Sequence, residues 1–499
     1  MTSTRDLRLV APAAAVWMIT MVGLAAPSAI RVIVIIGGAA LFGVTGAVWL
    51  RLLSWRLVGP VVLMLGMAVT AGIALSLKVT AIQQSPLHED RGKSTVTVRV
   101  VDDPVPLRPA ASGRSRIRVD VVAVGERQIG AAGAHLVGAT QQWSQLVPGQ
   151  RVRVLVRVRP PPEHTMLVAS LTAVGTPALV GAPPAHQRVA AYIRARLRTI
   201  SARALGAPES GLLPGLVLGD TSGLDDDVRE DFRDAGLTHL TAVSGSNFAI
   251  VCGAALAALA LIGCPRGYLP VLGLIVIAGF VILVRPSPSV LRAAMMGAVG
   301  LLAMLGRRRS QALPALGTAV IVGLLWWPEL ALAPGFVLSV AATAGIVLWG
   351  PAIRDLLWDH RVPTGVAEVL GMAIAAQSVT APFIALISGR FSVVAILANV
   401  VVVPVVGVIS VVGTLAALIG SLGPPGGVGW VLAELLARML GPALWWMVTC
   451  ARVLGGWAWS SIPVPDGVLG AAVVAGATVA VGLVVRNQLS RRGFGPDGR

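Results

Sequence analysis

The chain has 499 residues, of which 55% are hydrophobic and only 13% charged, and its mean hydropathy is +0.80. Soluble domains average about a quarter charged residues, so this composition excludes an ordinary soluble enzyme and indicates an integral membrane protein. The formal net charge of +17 would suit a nucleic-acid partner, but an excess of arginine is also what the cytoplasmic loops of membrane proteins carry. Three cysteines, Cys252, Cys264 and Cys450, lie in or beside apolar runs without metal-type spacing.

In chain order, apolar runs near 9–26, 30–50 and 57–77 predict three membrane helices within an N-terminal domain, 1–80. The second run follows the first so closely that a retained hairpin fits better than a cleaved signal peptide. Between 85 and 185 the pattern changes. "STVTVRVVD", "SRIRVDVVAVG" and "GQRVRVLVRVR" alternate apolar and polar residues, the period of half-buried strands. A small OB-like β-barrel of about five strands is expected there. Residues 186–235 then hold a basic amphipathic helix and an acidic loop. Arg188, Arg194, Arg196, Arg198 and Arg203 alternate with Val189, Ile193, Leu197 and Ile200 at helical spacing. That pattern suits a helix on a membrane surface or one packed against the barrel.

From 236 to 486 apolar segments dominate, with spans near 238–262, 269–284, 289–305, 311–327, 330–349, 366–388, 391–420, 428–450 and 468–485. The total is about 12 transmembrane helices, with the long 391–420 run, which contains Pro404, open to reading as one broken span or as two, and a tail at 487–499. If the N-terminus is cytoplasmic, the arginine-bearing loops "RLLSWR", "CPRG", "GRRRSQ" and "RDLLWDHR" and the tail all fall on the cytoplasmic side. Both termini are then cytoplasmic and the β domain lies on the outer face.

Nucleotide and hydrolase motifs are lacking. "RGKST" resembles the end of a phosphate-binding loop, but Leu87 stands where its first glycine would be. Ala242 replaces the first glycine of a nucleophile elbow around Ser244, and no zinc-ligand run occurs. No catalytic residue, metal or cofactor is expected. The acidic loop carries Asp220, Asp225, Asp226, Asp227, Glu230, Asp231 and Asp234, which read better as a helix start than as a magnesium site.

Polar residues recur at membrane depth. "LTHLTAVSGSN" brings His239, Thr241, Ser244, Gly245, Ser246 and Asn247 to the start of a span, and "VRPSPSVLR" brings Arg285 and Arg292. Gln377 and Asn399 lie inside later apolar runs. Such groups are costly against lipid and should line a wet passage or bond neighbouring helices.

These segments resemble the ComEC family of bacterial competence proteins. The resemblance is carried by "GLLPGLVLGDTSGLDDDVREDFRDAGLTHLTAVSGSN", "PSPSVLRAAMMGAVGLLAMLGRR", "LAPGFVLSVAATAGI" and "APFIALISGRFSVVAILANVVVVPVVG", in that order. It implies a cytoplasmic-membrane channel that passes single-stranded DNA inward during natural transformation. It also implies an outer-face DNA receptor, a cytosolic ATPase motor, a separate nuclease, membrane lipid and further copies of the chain as partners. Many members carry a metallo-β-lactamase-like domain after the channel, and the chain reads as a short form without it. On the OB-like lobe, Arg99, Arg116, Arg118, Arg151, Arg153 and Arg157 are the expected phosphate contacts. The lobe has almost no aromatic residue beyond Trp143 for base stacking. The alternatives are a transporter of a small or lipid-linked solute, and an intramembrane hydrolase. A His239–Ser244 pair would diverge by roughly 140° on an ideal helix, which disfavours the hydrolase.

Overall fold

The computed structural model describes residues 6–50, 54–89, 92–107, 113–162, 165–305, 312–457 and 459–492. The arginine-bearing loops expected at 51–56 and 306–311, and the tail after 492, lie wholly or partly outside the described residues. Eight of the described helices are long and apolar enough to cross a bilayer, and four shorter apolar helices accompany them. The protein is a multi-pass membrane protein with an inserted small β-barrel.

The chain forms two compact units, each made of three segments. The first comprises 1–199, 252–333 and 417–431, and the second 200–251, 334–416 and 432–499.

In the first unit, α1 (Val10–Ala25) and α2 (Pro27–Trp49) form a tight hairpin, because Pro27 opens α2 directly after Ala26. α3 (Trp55–Gln83) packs on both. The approach is close: a β-carbon on Gly23 would lie 2.7 Å from a Leu75 methyl carbon of α3. A single turn, α4 (Pro86–Glu89), leads into the barrel.

The barrel strands are β1 (Lys93–Val100), β2 (Val105–Pro106), β3 (Arg114–Val124), β4 (Arg127–Ala139), β5 (Arg151–Arg159), β6 (Ala169–Ala173) and β7 (Ala178–Gly181). Five of them close a ring in the order β1-β3-β4-β6-β5-β1. Every pairing in the ring is antiparallel except β4 with β6. This is the OB-like arrangement expected from the alternating sequence. The period of two sends Val96, Val98, Val100, Ile117, Val119, Val121, Val152, Val154, Val156 and Val158 inward. The outer face of β5 is left to arginine. The short helix α5 (Thr140–Trp143) plugs the core with Trp143, which is fully buried against Gly138. Trp143 is therefore a core residue and offers no stacking surface.

After the barrel, α6 (Ala185–Ala204) buries Ala190, Arg194, Leu197 and Ile200 and exposes Val189 and Tyr192. The face that packs is thus offset from the purely apolar stripe and includes an arginine. On its other side Arg196 stacks over the rings of Tyr192 and Trp430 at 4.9 and 5.1 Å.

The second unit begins with α7 (Ala207–Leu218), whose residues 211–218 are all buried, and α8 (Asp226–Asp234). Glycine sets the spacing: a β-carbon on Gly215 would stand 2.6 Å from the Thr241 carbonyl oxygen. The apolar run expected from 238 becomes helical only at α9 (Gly245–Leu261), after a 3-10 turn at Thr238–Leu240. In the first unit follow α10 (Leu269–Val284), α11 (Pro288–Leu305) and α12 (Ala312–Trp326). The second unit resumes with α13 (Pro334–Asp359) and α14 (Thr364–Ser388). These two lie backbone to backbone, with Gly345 against the Ala375 carbonyl and Gly371 against that of Gly350.

The structure adds detail to two of the expected spans. α15 (Ala395–Gly420) runs unbroken through Pro404, burying Ala398, Val402, Val406 and Ile409 along one face. The break falls instead in the following run, between α16 (Val428–Met439) and α17 (Gly441–Gly455). There Pro442 occupies a first-turn position, where its missing N–H costs nothing. A two-stranded ribbon, β8 (Arg390–Ser392) with β9 (Ser461–Pro463), and α18 (Val468–Arg492) complete the fold.

Trp143→Ala should remove the barrel's central plug at a cost of about 3–5 kcal/mol. Amide hydrogen exchange in β4 and β5 of the full chain, read by mass spectrometry, should accelerate by about a hundredfold or more.

Candidate functional site

The barrel's outward arginines divide into two groups. Arg99 donates to Asp120 at 2.7 Å and Arg118 to Glu329 at 2.6 Å, so both are held in ion pairs. Arg151 and Arg153, and beyond Leu155 Arg157 and Arg159, stand exposed on one face of β5, about 7 Å apart within each pair. No described carboxylate bonds any of these four, nor Arg116 on β3. The register places Lys93 opposite Arg157 and Arg99 opposite Arg151. Like charges directly opposite one another weaken a sheet unless an anion lies across them.

Near this face, burial and then the guanidinium groups of Arg116 and Arg118 hold His135 below the ordinary histidine value of 6.5. Asp102 is pushed the other way: burial raises it, and Arg118 only partly opposes the rise.

A second cluster was not legible in the sequence, apart from Arg285. Arg285 closes α10 with a left-handed φ of 74°. Its Nε and Nη2 grip the Asp103 carboxylate at 3.1 Å each, and its Nη1 donates to Gln187. Arg194 from α6 donates to the same carboxylate at 3.0 Å and to the Leu283 carbonyl at 3.3 Å. The available signal was Arg194 itself, a charge on the Ala190–Leu197 side of its helix, which needs an acidic partner when buried.

The polar start of α9 resolves into a helix cap. The Ser244 hydroxyl accepts the Asn247 N–H at 3.1 Å and donates to Asn247 Oδ1 at 2.8 Å; the Ser246 hydroxyl lies 2.7 Å away. Ser244 is thus the residue before Gly245, bonding the third helical N–H. Thr241 donates to the Thr238 carbonyl at 2.8 Å. Asn247 is buried, yet its Nδ2 has no partner among the described residues. His239 is exposed in the middle of its turn and hydrogen-bonds the Gly236 backbone, which leaves one ring nitrogen over.

The other singled-out residues sort by the same test. Ser287 accepts the Val290 N–H and caps α11. Arg292, buried on α11, donates to the Met296 sulfur at 3.1 Å. Asn399 donates to Ala395 one turn back on α15 at 2.8 Å. Gln377 lies midway along α14, half-buried, and its side chain makes no hydrogen bond to another described residue. Helix ends and back-bonds therefore use Thr241, Ser244 and Asn399, while the amides of Asn247 and Gln377 and the ring of His239 keep polar capacity to spare.

The acidic loop is held by arginines. Asp231 pairs with Arg452 at 3.5 Å and Asp234 with Arg390 at 3.1 Å, while Asp220 accepts from Ser222 at 2.6 Å. Asp226 and Asp227 fill the first turn of α8, where carboxylates offset the helix dipole. Among the described residues no three of histidine, cysteine, aspartate and glutamate come together as a metal site would require.

Comparison with known proteins follows this geometry. A family model described as "Competence protein" matches residues 216–489, more than half the chain. The chain belongs to the competence protein family. The competence-family region contains α9, α11, α14 and α15 and ends beyond the ribbon of β8 and β9; the barrel lies before it. A relative, ComE operon protein 3 of Bacillus subtilis (strain 168), is 27% identical over 197 residues. That match covers 39% of this chain and 25% of the relative, so the chain spans about a quarter of the relative's length. No solved structure matches.

Two outcomes test the site's chemistry. Ser244→Ala should cost about 1 kcal/mol by uncapping α9, whereas Ser244→Asp should retain stability, as read by the unfolding temperature in detergent. For His135, acidification through 6.5 loads a proton onto the unfolded chain that the folded barrel resists. Stability should therefore fall as pH drops below that value, and His135→Gln should lose less between pH 7.5 and 5.5 (roughly one unit either side) in the same measurement.

Proposed function

We propose that this membrane protein acts in DNA uptake during natural transformation, as a channel that passes single-stranded DNA into the cytoplasm. The observation that carries the reading is the β5 arginine row, without described carboxylate partners, on an OB-like barrel in a chain of the competence family. OB folds suit single strands, and here the contact is with phosphate rather than with stacked bases.

The work divides by location. Arg116, Arg151, Arg153 and Arg157 draw the polyanion to the barrel and release its counterions. Within the helices, His239, Asn247, Gln377 and Arg292 supply donors to a strand that has shed water. Thr241, Ser244, Gly245, Ser246 and Asn399 shape the helix ends that hold those donors in place. The chain makes and breaks no bond of the DNA. An outer-face receptor delivers it, a separate nuclease removes the other strand, and a cytosolic ATPase supplies direction. In this reading the barrel faces outward from the cytoplasmic membrane and both termini are cytoplasmic, which the distribution of arginine among the loops supports.

The test uses the full chain in nanodiscs with a labelled oligothymidylate. Four phosphate contacts predict affinity falling about 50-fold between 50 and 200 mM salt, since each contributes a logarithmic slope of about 0.7. Replacing Arg116, Arg151, Arg153 and Arg157 together by alanine should flatten that dependence and depress transformation of cells carrying the variant at normal protein level. Undiminished transformation after deletion of the chain would instead favour the solute carrier.

A further inference from the structure

The Asp103 cluster has the form of an anion site already filled from within. Both guanidinium groups are anchored from behind by neutral acceptors: Arg194 by the Leu283 carbonyl and Arg285 by the Gln187 side-chain oxygen. Both also donate to one carboxylate, with Arg285 gripping both oxygens side-on and Arg194 adding a third bond. A bidentate fork with a second arginine is the geometry that recognises phosphate. The arginine side chains are only 7% and 14% exposed, but that of Asp103 is 37% exposed, so the anion sits on the open side of the cradle.

Two further features bear on exchange. Asp103 belongs to neither neighbouring strand, lying on the irregular link between β1 and β2. The φ of 74° at Arg285 is strained for a residue with a β-carbon, and strain of this kind gathers at functional positions. Two cations on one carboxylate also leave the three groups with a net positive charge.

We propose that Arg194 and Arg285 form a phosphate cradle that Asp103 occupies at rest, and that a phosphodiester of the incoming strand displaces this carboxylate. The inference rests on the DNA-handling reading above and adds a second, gated contact to the open row on β5. Exchange costs little, because the leaving carboxylate passes into water while the guanidiniums keep their neutral acceptors and gain an anion of equal geometry.

The experiment compares the full chain in phosphatidylcholine nanodiscs as wild type, Asp103→Ala, the isosteric Asp103→Asn, Glu126→Ala and the double variant Asp103→Ala/Arg285→Gln. Glu126, exposed on the turn between β3 and β4, controls for mere loss of negative charge. Oligothymidylate affinity is titrated across salt, and unfolding temperature is read in phosphate against chloride of equal ionic strength. The expected result is tighter binding by about tenfold for Asp103→Ala, with a salt slope steeper by about 0.7. Asp103→Asn should move the same way, and the added Arg285→Gln should cancel the gain. Phosphate should raise the unfolding temperature of Asp103→Ala but not of the wild type or the double variant. An equal gain in Glu126→Ala, or a gain that survives Arg285→Gln, overturns the cradle. Should no protein bind the oligonucleotide while phosphate still stabilises Asp103→Ala selectively, the cradle stands and the DNA reading fails. If that selective stabilisation is also lacking, the cradle falls with it.

Discussion

Every polar group that this chain carries into apolar surroundings must find a partner there, and that requirement explains most of the architecture. A helix that begins inside or beside a membrane leaves its first N–H groups without water. Ser244 and Ser287 answer this at α9 and α11 by accepting the third helical N–H. The hydroxyls of Thr343, Ser378, Thr380 and Thr414 meet their own need by donating to carbonyls one turn back on their helices. Once these debts are settled, the polar groups left over are few, and they are the ones with capacity for a ligand.

The same requirement acts on charge. At the junction of α6 and α10 the enclosed arginines share an acid, Asp103 for Arg194 and Arg285. Where arginine is exposed, on β5, the row stands without described carboxylates. The first unit therefore holds one compensated arginine cluster, at α6 and α10, and one basic row on β5 without described carboxylates. That asymmetry, more than the global charge of +17, is what points to a polyanion.

Close packing supplies the second constraint. Gly215 beneath Thr241 and Gly236 against Ala395 bring α7, the α8 loop and the start of α15 together around the polar segment. Gly236 has a φ of +74°, so a side chain there would be both strained and obstructed. The stretches "LVLGD", "DAGLTHL" and "RFSVVAILAN" are distant in sequence but serve one local arrangement in the second unit.

Much of this was readable beforehand. Alternation at period two in "RVRVLVRVR" marked both the core valines and the outward arginines of β5, because a strand's geometry leaves no other assignment. Composition alone settled the membrane class, and the family motifs foretold the match over 216–489. The sequence could not say that Ser244 caps a helix, since the start of α9 depends on where α7 packs. Nor could it show that Pro442 breaks a helix while Pro404 does not. It left Arg194 and Asp103 as unrelated residues 91 positions apart. Local periodicity fixes which face of an element is apolar. Only the packed chain decides which buried charges meet, because that pairing depends on distances between elements that no local pattern encodes.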